Sequence, residues 1–311
     1  MSERVSVIVV SYNAQDLARA CLASIPTGPE LLVVDNASTD GCADMVAAEF
    51  PGARLMRNIE NVGFARANNQ ALRQANGELV LLLNSDAELR PGCLAALQSA
   101  FAAHPKLGVA GPRLLNPDGT WQPSWGDFPT PVTEFLFQSY LYKIWPTRFP
   151  YDRHISLWLR RAYGVFQWVD WVTGAALMLR RQVYEAIGGL PEGTFMYGED
   201  VEYCARARAA GFGVAYVPTA SVCHRLQTSS RRDYARWIEN YTQATLAYYR
   251  QHSTPTERRA VARWIIAGST LRRLLWMLVG LTFPVRRQEA QQRNQGYRRA
   301  SLLAREVLHA L

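Results

Sequence analysis

The chain has 311 residues, 49% of them apolar and 19% charged, which is enough to bury a full core and excludes a disordered polymer. Its net charge of +8 sits at one end: residues 251–311 hold 11 arginines against 3 glutamates, while the first 250 residues are neutral. Five scattered cysteines without metal-type spacing (Cys21, Cys42, Cys93, Cys204, Cys223) fit reduced thiols filling a core in a cytosolic compartment.

In chain order, Met1–Asn13 carries an early acid, Glu3, and an apolar run only from Val7 to Val10, too short for a signal peptide. Val5–Val10 predicts a buried strand, followed by a helix from Asp16 to Ser24. Leu31–Val34 predicts a second strand, and Thr39-Asp40 caps a helix through Glu49. Ala53–Arg57 and Leu79–Leu83 predict two more strands, separated by the helix Phe64–Ala75. Pro91 then introduces a helix over Cys93–Ala103. Short apolar runs alternating with helices predict an α/β fold whose mostly parallel sheet is covered on both faces. From Gly111 to Pro150 the texture changes to a hairpin around Asn116–Gly119 and an aromatic segment, Phe135–Tyr151, with Tyr140, Tyr142, Trp145 and Phe149. That segment reads as an acceptor-site wall, a membrane contact or a buried loop. A second mixed region runs from Val169 to Val222, and the chain is helical from Asp233 to its end.

Ligands of such sheets sit at the carboxyl ends of the strands. Three strand ends deliver Ser11-Tyr12-Asn13, Asp35-Asn36-Ala37-Ser38-Thr39-Asp40 and Asn84-Ser85-Asp86-Ala87-Glu88. Tyr12 can stack on a nucleotide base, and Asp35 can accept from the N3–H of uracil or thymine. Asp86 can hold a divalent ion bridging two phosphates, or can belong to a plain loop. Asp40 reads as a helix cap and Glu88 as a first-turn solvent charge.

The segments Val9–Asn13, Val33–Ser38, Asn61–Asn69 and Leu83–Asp86 resemble the family 2 glycosyltransferases with the GT-A fold. The likeness continues through Thr173-Gly174-Ala175, Gly188–Pro191, Phe195–Cys204 and Arg208, and is nearest the rhamnosyltransferase-like branch that builds cell-envelope polysaccharides. It implies that Tyr12, Asn13, Asp35 and Arg66 meet the nucleotide, with Asn61 and Gly63 shaping that loop and Gly174 in the donor site. Asp86 takes the place of the metal-binding aspartate of an Asp-x-Asp signature whose first position is here Asn84, a weaker, uncharged ligand that, with Ser85, can meet the donor sugar or ribose. A divalent cation, Mg²⁺ or Mn²⁺, is therefore expected.

Glu199-Asp200 opens a helix whose N-terminus favours an ionised carboxylate. The resemblance selects Asp200 as the catalytic base of an inverting displacement, with Glu199 orienting it or the acceptor; the bare residues also allow a simple cap. His224 follows an apolar stretch, and a lone histidine is commonly structural, whereas the resemblance makes it a metal or diphosphate ligand. Arg225, Arg231 or Arg232 could balance diphosphate charge or form a solvated basic face.

No uninterrupted apolar run reaches the length of a membrane span. Leu274–Phe283, flanked by Arg272-Arg273 and Arg286-Arg287, suits a helix lying in the headgroup plane of an anionic membrane, or a core helix. Nucleic-acid binding lacks a motif. The expectation is one GT-A-type nucleotide-binding domain over 1–250 and a basic amphipathic tail over 251–311. Its activity would be inverting transfer of a hexose, L-rhamnose among the candidates, from a dTDP- or UDP-sugar to a saccharide or polyprenyl-diphosphate-linked acceptor. It would work at the cytoplasmic, inner face of the cell membrane. The rivals are a non-catalytic sugar-nucleotide or polysaccharide-binding module and a nucleotidyltransferase; the absence of a Gly-rich loop after the first strand disfavours the latter.

Overall fold

A computed structural model describes residues 3–141, 164–193, 197–225 and 233–310. They fall into two compact units, one built from 3–128, 164–193 and 199–225, the other from 129–141, 197–198 and 233–310.

The first unit is a wound α/β sheet. β1 (Val5–Ser11) pairs in parallel with β2 (Glu30–Asp35) on one side and β4 (Leu79–Asn84) on the other. β3 (Arg54–Arg57) extends the sheet beyond β2. On the far side β11 (Ala176–Arg180) runs antiparallel between β4 and β6 (Leu107–Leu115). β12 (Gly213–His224) then lies parallel to β6, with register shifts at Gly213/Val214 and Val217/Ser221. The chain therefore reverses its winding direction at β1 and β4, the place where such sheets open a ligand crevice.

Both faces are buried, and the period of two sorts the side chains. Val7, Val9, Val33, Leu79 and Leu81 point into one core with α1 (Gln15–Ala23), α2 (Cys42–Glu49) and α4 (Cys93–Ala103). Ile8, Leu32, Val34, Val80 and Leu82 point into the other, with α3 (Phe64–Leu72), while Val183 and Tyr203 bring in the later helices described below. Each fully buried Val, Leu or Ile contributes about 1.5–3 kcal/mol relative to exposure, so these five-residue runs anchor the sheet. All five cysteines are buried and unbridged, and Cys21, Cys42, Cys93 and Cys204 fill these cores; burial pushes the Cys93 thiol up to about 12.

One element departs from the expected pattern. The residues after β4 form a short strand, β5 (Ala87–Leu89), antiparallel to the end of β12. Glu88 is therefore a strand residue ion-paired with Arg225 at 2.7 Å, not a first-turn helix charge. His104, half-buried after α4, stacks 4.4 Å from Phe166. The hairpin forms as expected: β6 turns through Asn116 and Gly119 (φ +80°) into β7 (Trp121–Gln122). β8 (Trp125–Gly126) pairs with β10 (Trp171–Val172), β9 (Gln167–Trp168) with β12, and α6 (Arg181–Ile187) and α7 (Glu199–Ala209) complete the unit.

The second unit is helical: α5 (Pro131–Gln138), α8 (Tyr234–His252), α9 (Pro255–Thr282) and α10 (Arg287–His309). Thr254 and Glu257 form a reciprocal capping box with Pro255 at the first helical position, which starts α9. Uninterrupted apolar length missed one property of this helix. With its two arginines included, α9 has an 18-residue window of mean hydropathy 1.3 and is long and apolar enough to cross a membrane. Yet Arg272 is buried, donating to the Phe137 and Gln138 carbonyls at the end of α5 and lying 4.4 Å over the Tyr140 ring. Phe135 packs 4.6 Å from Trp264. The described part of the aromatic segment thus covers one face of α9, while Tyr142, Trp145 and Phe149 lie outside the described residues. The opposite face of α9 exposes Leu271, Leu274, Leu278 and Leu281.

Candidate active site

At the carboxyl end of β2, Asp35 is buried, with Oδ2 accepting from Ser38 N–H at 3.1 Å. Its Oδ1 is buried without a hydrogen-bond partner, a costly state that an incoming base N–H would relieve. Half-exposed Tyr12 follows β1. Asn13, at φ +49°, accepts from Thr39 N–H at 2.8 Å and so locks the β1 end to the β2 end. Asp40 accepts from the Gln15 and Cys42 amides in the first turns of α1 and α2, although the N-cap of α2 is Gly41 rather than the expected Thr39-Asp40.

The loop before α3 is held by amides. Asn36, buried, donates to Asn61 Oδ1 at 2.8 Å and accepts from Val62 N–H and Asn58 Nδ2. Asn61 Oδ1 also accepts from Gly63 N–H, where φ is +84°. Losing one partner in such a network costs about 1–3 kcal/mol. Asn36 was not among the expected site residues; its position directly after Asp35 was the available signal. Arg66, on the exposed side of α3, lies 3.4 Å from Glu192.

The β4 end brings the metal candidates together. Asn84 N–H donates to Ala175 O, and its side-chain Oδ1 is buried without a partner. Ser85 and Asp86 form the turn into β5. Because β5 pairs with β12 in the register Ala87–His224, Asp86 is set beside His224, whose Nε2 is 3.2 Å from Asp86 Oδ1. Two ligands on neighbouring corners of an octahedral cation at about 2.1 Å would lie about 3 Å apart, so the pair fits a shared divalent ion. Among the described residues no group of three or more His, Cys, Asp or Glu side chains could hold a metal, so the remaining ligands would come from elsewhere. Arg225 lines an open cleft with Asn13, Gln15 and Asp40. Arg231 and Arg232 lie outside the described residues.

Gly174 and Asp200 connect the third part. Asn84 binds the Thr173–Ala175 segment through Ala175 O, and Gly174 N–H donates to Asp200 Oδ2 at 2.9 Å. Asp200 Oδ1 accepts from Val201 N–H at 2.8 Å, and Glu199 is buried beside it at the start of α7. Burial pushes the Asp200 carboxyl above its ordinary range, although these two backbone amides pull it back. A half-buried carboxylate of raised basicity suits proton abstraction from a hydroxyl.

The model of glycosyl transferase family 2 matches residues 6–186. The chain is 30% identical over 285 residues to an N-acetylglucosaminyl-diphospho-decaprenol L-rhamnosyltransferase of Mycobacterium tuberculosis, covering 86% of this chain and 91% of that protein. A low-salt glycan biosynthesis hexosyltransferase of Haloferax volcanii is 26% identical over 236 residues, 75% of this chain and 70% of that one. Among solved structures, the fold is similar to a mannosyltransferase from Pyrobaculum calidifontis in complex with GDP-Man and Mn²⁺. That match has a TM-score of 0.56 and 21% identity, covering 97% of this chain and 87% of the other. It is also similar to S. aureus TarS 1–349 in complex with UDP, with a TM-score of 0.50 and 18% identity, covering 97% and 91%. At these identities the likeness shows the fold, GT-A.

Proposed function

The chain belongs to glycosyl transferase family 2 and is a hexosyltransferase, and we propose that it moves L-rhamnose from a dTDP- or UDP-linked donor to a polyprenyl-diphosphate-linked saccharide. The observation that carries the choice of sugar and acceptor is the 30% identity, over 86% of the chain, to a protein named for that reaction.

Tyr12 stacks on the base and Asp35 Oδ1 accepts its ring N–H, which matches the unpaired buried acceptor found there. Asn84, Ser85 and the Gly174 segment line the donor sugar, and Arg66 moves from Glu192 to the phosphates. Asp86 and His224 would hold a divalent cation, Mg²⁺ or Mn²⁺, which supplies charge neutralisation to the departing diphosphate. Asp200 takes the proton of the acceptor hydroxyl as that oxygen bonds to the anomeric carbon. The carbon–oxygen bond to the diphosphate breaks on the opposite face, so configuration inverts. Glu199 orients the base.

The acceptor's lipid calls for a membrane surface. On α9 the exposed Leu271, Leu274, Leu278 and Leu281, with exposed Arg286 and Arg287 just beyond, suit shallow insertion into an anionic leaflet. The inward, buried Arg272 favours a helix lying in the interface over one crossing it. The proposed division of labour gives nucleotide binding and catalysis to residues 1–250 and location at the inner face of the cell membrane to the basic 251–311, a functional boundary that falls within the helical unit, at the end of α8.

The test incubates the full chain with dTDP-L-rhamnose, other dTDP- and UDP-sugars, Mn²⁺ and a short-chain polyprenyl-diphosphate N-acetylglucosamine. A lipid product heavier by one deoxyhexose supports the proposal. Diphosphate-dependent exchange without transfer would identify a nucleotidyltransferase, and a thermal shift alone a binding module.

A further inference from the structure

We infer that Gln122 is a positioning residue that sets the tautomer of His224, so that the bare Nε2 of the imidazole faces the cation position beside Asp86. The inference rests on the metal-binding reading of Asp86 and His224 given above.

Hydrogen-bond direction can be followed from a group that only accepts. Asp118, in the β6–β7 turn, accepts from the Thr120 hydroxyl at 2.6 Å. With its proton so engaged, Thr120 Oγ1 accepts, and the Asn116 Nδ2 at 2.8 Å must donate to it. That fixes the Asn116 amide: its Oδ1 points to Gln122 and accepts from Gln122 Nε2 at 2.8 Å. Gln122 Nε2 also reaches the backbone carbonyls of His224 at 2.5 Å and Leu115 at 3.4 Å, which can only accept. The Gln122 amide is therefore fixed as well, with Oε1 turned to His224 Nδ1 at 3.0 Å. An amide oxygen can only accept, so Nδ1 carries the hydrogen. In the neutral ring Nε2 is then a lone pair, and it lies 3.2 Å from a carboxylate oxygen of Asp86. The Nε2 lone pair and that carboxylate oxygen are spaced to share a divalent cation, which would take the place of the proton that joins them when the ring is charged. The relay Asp118–Thr120–Asn116–Gln122 thus presents His224 as a ligand, in the way a carbonyl or carboxylate partner fixes metal-binding histidines elsewhere. Gln122 is buried, so water does not compete for its oxygen.

The first measurement needs no variant at Gln122. Histidine ring nitrogens of the metal-free, full-length chain are labelled with ¹⁵N and read at about pH 8.5, where an ordinary imidazole is neutral. The His224 signals are identified by their loss in His224→Asn. The Nδ1–H tautomer is expected; an Nε2–H tautomer overturns the inference and leaves the proposed reaction standing. The second measures Mn²⁺ affinity by electron paramagnetic resonance with UDP present. Gln122→Met keeps the volume but removes the acceptor, and should weaken Mn²⁺ binding about 10–100-fold. Gln122→Glu restores an acceptor to Nδ1 while losing the same amide donors, and should recover most of the affinity. Equal affinities in the two variants would reduce Gln122 to a hairpin latch and overturn the inference. A wild-type chain that binds no Mn²⁺ with UDP would remove the metal-binding reading, and the inference with it.

Discussion

The backbone N–H of Gly174 donates to Asp200 Oδ2 at 2.9 Å, tying the loop before β11 to the first turn of α7. What this contact needs from Gly174 is its amide rather than its missing side chain. A Cβ there would meet Asp200 Cβ at 3.6 Å and Phe64 at 3.8 Å, ordinary van der Waals distances. Gly174→Ala should therefore keep turnover within about threefold, whereas Gly174→Pro removes a hydrogen bond to a charged group, about 1.5–3 kcal/mol or roughly 10–100-fold in rate. Steady-state kinetics of both variants decide it: equal losses would mean that space, not the amide, matters.

Burial raises Asp200 above the ordinary carboxylate range, and the base must be ionised to work. The acid limb of kcat/KM should accordingly fall at a pH above about 4. Stability runs the other way. The folded chain holds this proton more tightly than the unfolded chain, so ionising Asp200 costs stability as pH rises from the ordinary carboxylate value through the raised one. The stability of Asp200→Asn relative to wild type, measured by thermal denaturation, should rise from acid to pH 8. A difference independent of pH would contradict the raised carboxyl.

The first four strands, their parallel pairing and the strand-end residues were legible because short apolar runs and post-strand Asp, Asn and Ser carry local signals, whereas the antiparallel β11 and β5 were not. Tyr12, Asn13, Asp35 and Asp40 could be placed from these alone. The partnership of Asp86 with His224 could not, because it depends on a three-residue strand, β5, too short for any periodicity, pairing with a distant strand end. Gln122 was missed for the same reason: its role arises from where a hairpin returns beside β12. Asn36 sat among turn formers, and only its network separates it from them. The span-length property of α9 was hidden because Arg272 and Arg273 interrupt the apolar run, although Arg272 is satisfied by the end of α5.

Asp86→Ala should weaken nucleoside diphosphate binding strongly with Mn²⁺ present and little in chelator, since its carboxylate would act through the cation. Calorimetry in both conditions is the check; an equal loss would remove Asp86 from the ligand set.

The exposed leucines of α9 should drive association with anionic vesicles. Leu274→Asp combined with Leu278→Asp in the full chain should reduce co-sedimentation at least tenfold while circular dichroism stays unchanged. Salt should weaken wild-type binding without abolishing it, because arginine attraction is screened and apolar insertion is not. Unaltered sedimentation of the double variant would show that this face does not meet lipid.

The base assignment is tested most directly by Asp200→Asn, assayed for sugar transfer to the lipid-linked acceptor and, separately, for donor binding. The amide keeps the shape and its single oxygen can accept from Gly174 N–H or from Val201 N–H, but it cannot take the acceptor's proton. Turnover should fall about 10²–10⁴-fold with donor affinity nearly intact. Turnover close to wild type would contradict Asp200 as the base and, with it, the active site described at this sheet edge.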